Sequence, residues 1–299
     1  MGIYKLNTFL KYYCPNSIKE QHISELTNKK IAVDISVYLY RFKKLNKMII
    51  ELFNLCSMFR EYNIHPIFIY DGITPENKKE SVKHRKKIRK QYKKEYNELL
   101  KTSKLDENHI SLNKRKKYLE TQLVKLKNID FENSKQLLNL YGMNYIVANG
   151  EADELCAYLS KYNYVDAVMS DDTDMFAYGC KTILRYTSII NKTVISCNIH
   201  DIYKELDVTE AQFRWLCSIS CNDYHNPDMS DESILTFEEN YKNSKHSTKE
   251  YRQNIIYSFY NNTKYENITN NIIIPYIFNK KYDIQILMHF LYIFYIFII

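Results

Sequence analysis

The chain reads as an α/β protein, with a mostly parallel central sheet flanked by helices and a mainly helical part at the carboxyl end. Three observations point there. Short, near-continuous apolar runs recur at 30–35, 66–71 and 165–170, as in strands covered on both faces. Stretches with apolar residues every three to four positions separate them. Acids stand where the apolar runs stop, and in parallel sheets ligand sites gather at the carboxyl ends of strands.

The first strand is K-I-A-V-D-I at 30–35, followed by Ser36. A helix is expected over Leu45 to Tyr62, where Met48, Leu52, Leu55, Cys56 and Phe59 form one stripe. P-I-F-I-Y-D at 66–71 is the second strand, ended by Gly72. Next comes a long insertion whose Ile88, Tyr92, Tyr96 and Leu99, and later Leu119, Leu123 and Leu126, recur at helical spacing. Two basic amphipathic helices are expected there, broken near Asp106 to Ser111. They carry too little apolar surface for a core of their own, so they should project from the body. Helices at Phe131 to Tyr141 and Glu151 to Tyr162 bracket a further strand at Met143 to Ala148. V-D-A-V-M-S at 165–170 and T-I-L-R-Y at 182–186 complete the sheet.

Beyond Tyr224 the pattern loosens, which places the boundary between a first domain, 1–225, and a divergent helical region, 226–299. The end, Ile286 to Ile299, is apolar except for His289. It falls short of the ~20 residues a membrane span needs, so a buried terminal helix is expected rather than a membrane partner, with a tail anchor or an unusual terminus as the alternatives.

Composition narrows the function. Hydrophobic residues make up 45% and charged residues 26%, ordinary values for a globular protein. The net charge is +7, unevenly placed: Glu76 to Lys127 holds 18 Lys/Arg and 7 Asp/Glu, so the rest is slightly acidic. A basic block on an acidic body suggests a polyanion partner docking at a defined place, against the plainer reading of a solvated helix pair. The seven cysteines show no C-x-x-C pair, and no signal peptide opens the chain. Reduced thiols and an intracellular, non-secreted protein of nucleus or cytoplasm are expected. Cys217 and Cys221 sit four apart, but no further His or Cys pair completes a zinc site.

Asp34 and Asp71 end the first two strands, Glu151 and Asp153 open a helix after Gly150, Asp172 and Asp174 follow Ser170, and Asp223 follows a helical stretch. Seven acids would thus converge on one rim. They cannot all stay ionised there without compensation, because like charges raise each other's pKa. A divalent cation compensates, and oxygen-only ligands suit magnesium or manganese. Two such ions can activate water and stabilise a leaving oxygen in phosphodiester hydrolysis. Singly, each acid has a structural reading: Glu151 can complement a helix N-terminus, and Asp172 can cap one.

The sequence also resembles a known family. M-G-I at the start, A-V-D-I-S-V-Y-L-Y at 32–40 and I-Y-D-G at 69–72 are similar to the amino-terminal block of flap endonucleases of the XPG superfamily. G-E-A-D-E-L-C-A-Y-L at 150–159, S-D-D-T-D-M-F-A-Y-G at 170–179 and C-N-D-Y at 221–224 follow in the family's order, covering about three quarters of the chain. The resemblance implies a 5′-nuclease fold of the PIN type and a structure-specific, metal-dependent 5′ nuclease. Such an enzyme cuts branched, 5′-flap or 5′-ended DNA in replication, repair or recombination. It implies two Mg2+ ions, replaceable by Mn2+, on Asp34, Asp71, Glu151, Asp153, Asp172, Asp174 and Asp223, with Asp153 standing for the family's usual Glu. It implies that Lys78 and Arg85 act on the scissile phosphate beside Asp34, Asp71, Glu151 and Asp172. Tyr40 would stack on the nucleotide next to the cut, and Gly2 would lie near the duplex. The basic insertion, about 76–127, becomes an arch through which a single strand threads, with Lys86, Arg89 and Lys93 and the interleaved tyrosines along the path.

Two departures stand out. After C-N-D-Y the family has a glycine-rich hairpin that opens a duplex-gripping element. Here the chain reads H-N-P-D-M-S-D-E-S-I-L-T-F-E-E-N, without glycine. Weakened or rebuilt duplex anchoring is expected there, without the family's potassium, and with Ser230 capping a helix near Asp231. Q-I-L-M-H-F-L-Y at 285–292 resembles a sliding-clamp peptide only in part, since Leu291 replaces an aromatic. This divergence and the AT-rich residue usage resemble flap-endonuclease-like proteins of large DNA viruses, which would work in the cytoplasm. Alternatives are a ribonuclease of the same fold, a catalytically silent nucleic-acid scaffold and, more distantly, a haloacid-type phosphatase. The last would need Thr where Phe176 stands.

Overall fold

The computed structural model describes residues 2–73, 78–102, 110–220 and 236–244. Among them are seven strands: β1 (Ile18–His22), β2 (Lys30–Asp34), β3 (His65–Tyr70), β4 (Asn144–Val147), β5 (Ala167–Met169), β6 (Thr182–Ser188) and β7 (Thr193–Asn198). They form one sheet in the order β1-β7-β6-β5-β2-β3-β4. The five strands from β4 to β6 run parallel, as the apolar runs predict. Antiparallel β7 and β1 extend the sheet at one side.

The helices are α1 (Leu6–Tyr13), α2 (Ile35–Lys44), α3 (Met48–Glu61), α4 (Lys79–Thr102), α5 (Ile110–Leu123) and α6 (Asn128–Leu140). They continue with α7 (Ala152–Lys161), α8 (Asp174–Tyr178), α9 (Ile199–Leu206), α10 (Glu210–Ile219) and α11 (Phe237–Ser244). Two apolar clusters explain why the central strands are apolar throughout. Successive side chains of a strand point to opposite faces. In β2, Ala32 belongs to a cluster with Leu6, Leu155, Phe176 and Phe213 from α1, α7, α8 and α10. Its neighbours Ile31 and Val33 join Tyr38, Phe42, Leu52, Phe59 and Leu137 from α2, α3 and α6. Both faces of the sheet are thus covered.

Strand ends differ slightly from the sequence reading. β2 stops at Asp34 because α2 starts at Ile35, and β3 stops at Tyr70, leaving Asp71 just beyond it. The helix expected from Leu45 starts at Met48, since α2 occupies the chain up to Lys44.

α4 and α5 are the two basic helices expected in the insertion, and they pack on one another. Arg115 binds Glu95 through two hydrogen bonds of 2.6 and 2.8 Å. The Tyr96 hydroxyl donates to Glu120 at 2.8 Å, and the rings of Tyr92 and Tyr118 meet edge to face, 6.3 Å apart. This alters one expectation: Tyr92 and Tyr96 fasten α4 to α5 instead of standing free between the cations. The expected break near 106–111, the glycine-free stretch after Tyr224, Ser230, the 285–292 segment and the apolar end lie wholly or mostly outside the described residues. No helix among the described residues is long and apolar enough to cross a membrane.

Candidate metal centre and nucleic-acid interface

Four loops at the carboxyl ends of adjacent parallel strands carry the acids. Gly72 makes two of these loops meet. Its backbone N–H donates to the Gly150 carbonyl at 2.7 Å, and a Cβ at Gly72 would collide with the Ala148 carbonyl. This close approach brings Asp71 beside the first turn of α7. Asp71 accepts from the Ala152 backbone N–H at 2.9 Å with one oxygen and from the Ser36 hydroxyl at 2.6 Å with the other. At the next position along the sheet, the Ser170 hydroxyl donates to Asp34 at 2.9 Å and accepts from the Asp172 backbone N–H at 3.2 Å. Asp172 in turn accepts from the Asp174 N–H at 3.1 Å, so the S-D-D-T-D loop is wound against the end of β2.

The result is a pocket of carboxylates. Ligand oxygens of Asp153, Asp172 and Asp174 all lie within 4.8 Å of one another. Asp34, Asp172 and Asp174 are buried, Glu151 and Asp153 partly so, and Asp71 is exposed. Burial, then the charge of Asp71, and more weakly that of Asp172, push the Asp34 carboxyl up to about 7 against the pull of Ser170. Burial and the charges of Asp34 and Asp172 hold Asp153 well above the ordinary carboxylate range. A hard divalent cation fits these residues on two counts: the donors are all oxygens, and its charge would relieve the strain that drives the carboxyls towards protonation. Asp153, one methylene shorter than glutamate, still reaches the other two ligand groups.

A cation of the chain's own stands beside the acids. Lys78, at the foot of α4 and only 4% exposed, places its ammonium 2.8 Å from Glu151. Arg85 is exposed two turns along α4, its Nε donating weakly to the Ser81 carbonyl at 3.4 Å. Lys86 and Lys93 are exposed and Arg89 half-buried on the same helix. Tyr40 lies half-buried on α2, the helix that begins directly after Asp34. Gly2 is buried with φ +85°, and a Cβ there would come under 3.0 Å from the side chains of Asp172 and Thr173. It therefore backs the acidic loop. Asp223 falls outside the described residues.

Sequence reading passed over the residues that set these acids in place. Ser170 and Ser36 bond to acids 136 and 35 positions away, and nothing local marks them. Asp171, one residue before Asp172, turns away from the pocket to Arg41, 3.6 Å distant, and to the Tyr186 backbone N–H at 2.7 Å.

A doubly covered α/β sheet with a buried oxygen-donor pocket at its strand ends, flanked by a basic helical hairpin, defines the class of acid-centred nuclease folds. Comparison with known proteins sharpens that class. The XPG N-terminal domain family matches residues 1–92 and the XPG I-region matches 142–223, together more than half of the chain. A probable RAD2-like endonuclease of Invertebrate iridescent virus 6 is 28% identical, over 75% of this chain and 67% of its own. Flap endonuclease 1 of Theileria parva is 31% identical, over 75% of this chain and 47% of its own. Human GEN1 in complex with Holliday junction DNA superposes with TM-score 0.59 at 18% identity, covering 83% of this chain and 56% of that one. Flap endonuclease-1 from Methanococcus jannaschii gives TM-score 0.52 at 20% identity, covering 77% and 76%. The chain belongs to the flap endonuclease/XPG superfamily. It spans between about a third and two thirds of the length of the first relatives it matches.

Proposed function

We propose that the chain is a structure-specific, metal-dependent 5′ nuclease that hydrolyses DNA phosphodiesters at branched, flapped or free 5′ ends. The observation that carries this reading is the convergence of Asp153, Asp172 and Asp174 within 4.8 Å, with Asp34 linked to the same loop through Ser170. Two Mg2+ ions, replaceable by Mn2+, would be held by Asp34, Asp71, Glu151, Asp153, Asp172, Asp174 and Asp223, and would supply an activated water and charge stabilisation at the leaving oxygen. A relative supports the metal's identity: GEN1 has been crystallised with product DNA and Mg2+.

The chain's own groups do the rest. Lys78 neutralises Glu151 at rest and stands ready to bind the scissile phosphate, where charge develops in the transition state. Arg85 approaches the same phosphate from the next turns of α4, and Lys86, Arg89 and Lys93 continue the positive path for the strand. Tyr40 offers a ring to the nucleotide beside the cut. Stacking ignores base identity, which suits an enzyme that reads shape. Gly2 lets the amino-terminal segment pack against the acidic loop near the duplex.

Cleavage of end-labelled 5′-flap, nicked and single-stranded DNA, with a matched RNA flap, tests the proposal. Magnesium-dependent incision of the DNA flap is expected, reduced at least 100-fold in Asp34→Ala and Asp172→Ala. Undiminished cutting by both variants, or cutting of RNA alone, overturns it.

A further inference from the structure

Tyr186 holds a conformation that its residue type disfavours. Its φ is +52°, in the left-handed region, where a bulky aromatic is an outlier and glycine would be at ease. The residue sits where the β6–β7 pairing shifts register, between Arg185 and Ser188. Bulges of this kind re-aim side chains and are frequent beside active sites. The strained backbone is held from below. Its N–H donates to the Asp171 carboxylate at 2.7 Å, and the Arg185 guanidinium donates to the Asp171 carbonyl and to Asn7. Asp171 also faces Arg41 at 3.6 Å, and Arg41 follows Tyr40 in α2.

The ring that this arrangement presents is 44% exposed. Two cations lie within 6 Å of its centroid: buried Arg185 at 5.0 Å and exposed Lys11, on the last turn of α1, at 5.9 Å. An outward aromatic beside an exposed ammonium matches a nucleotide, with a π-face for the ring and a phosphate for the cation. Tyr186 is fastened to Asp171, the residue before Asp172, and the same Asp171 faces Arg41, the residue after Tyr40.

We propose that Tyr186 and Lys11 form an accessory DNA-strand contact beside the loop that carries Asp172, on the side to which Asp171 turns, with the ring stacking on a nucleotide and Lys11 holding its phosphate. The proposal rests on the nuclease reading above. The strain is retained because it aims the ring, so removing it with glycine separates stability from binding.

The test compares wild type with Tyr186→Gly, Tyr186→Phe and Lys11→Ala. It reads anisotropy of a labelled 5′-flap DNA in EDTA, melting temperature, and cleavage kinetics in magnesium. Tyr186→Gly should melt at or above wild type, bind DNA about 5-fold or more weakly, and raise KM with kcat unchanged. Tyr186→Phe should bind as wild type. Lys11→Ala should lower the salt dependence of binding by about one phosphate contact. Wild-type affinity in Tyr186→Gly overturns the proposal, and so does a melting temperature several degrees lower, which would make the ring a structural cover for Arg185. If wild type neither binds nor cuts the flap, the nuclease reading fails and this contact falls with it. If wild type binds and cuts while Tyr186→Gly matches it, only the accessory contact fails.

Discussion

The Ser170 hydroxyl lies 2.9 Å from Asp34, 136 residues earlier in the chain, and accepts the backbone N–H of Asp172 at 3.2 Å. One hydroxyl therefore ties the end of β2 to the loop after β5, and two acids from distant segments share a partner. Ser170→Ala removes both bonds. Residues that orient metal ligands are typically worth about 10–100-fold in metal affinity or activity. The magnesium concentration that half-saturates cleavage should rise by about that factor, while the melting temperature moves little. Unchanged magnesium dependence would show that Asp34 needs no such anchor.

Stability should depend on pH and metal together. In the unfolded chain Asp34 ionises near its ordinary 3.8, whereas in the fold it keeps its proton up to about 7. The protonated form's contribution is complete below the unfolded value and is lost as pH rises through the folded one. The metal-free protein should therefore melt progressively lower as the pH rises across that window. Magnesium supplies the missing positive charge, so its stabilising effect should be larger at neutral than at acidic pH. Differential scanning fluorimetry at a series of pH values, with and without magnesium, checks both slopes. A metal effect that is the same at all pH values would contradict them.

Lys78→Ala removes the mostly buried ammonium that lies 2.8 Å from Glu151. Removing one member of a buried pair costs about 3–5 kcal/mol, and the partial exposure of Glu151 argues for the lower end. Urea denaturation measures that loss. Single-turnover cleavage should fall by about 100-fold or more if Lys78 also serves the transferring phosphate. Lys78→Gln/Glu151→Gln, which removes both charges, should recover stability but not rate.

Gly2→Ala should damage the site without touching an acid. The new Cβ would come under 3.0 Å from Asp172 and Thr173, at a φ of +85° that alanine disfavours. Displacing Asp172 should reduce cleavage at least 10-fold with a melting temperature lowered by a few degrees, on the scale of about 1–3 kcal/mol for such strain. Wild-type activity would mean that the amino-terminal segment can move aside.

Much of this was legible in the sequence because burial wrote it there. β2, β3 and β5 are apolar on both faces, so their runs are visible and the acids at their ends stand out. β1 and β7 leave no such mark, for the opposite reason. I-K-E-Q-H is mostly exposed at the sheet edge, and T-V-I-S-C-N is only partly buried, so neither has an unbroken apolar run. α2 leaves no helical signature in the sequence because I-S-V-Y-L-Y follows a strand directly and is rich in β-branched and aromatic residues. Asp34 and Asp172 could be named from strand ends, but Ser170, Arg41 and Asp171 could not, since their roles exist only through contacts made by folding. Tyr92 and Tyr96 show the same limit: spacing placed them on a helix, and only the pairing of α4 with α5 shows what they face.

The most direct test is anomalous scattering from crystals of the protein grown with Mn2+. The expected result is a manganese peak about 2.1 Å from carboxylate oxygens of Asp153, Asp172 and Asp174, lost in Asp172→Ala along with cleavage of flap DNA. No manganese among those acids, together with cleavage that persists in EDTA, would contradict it.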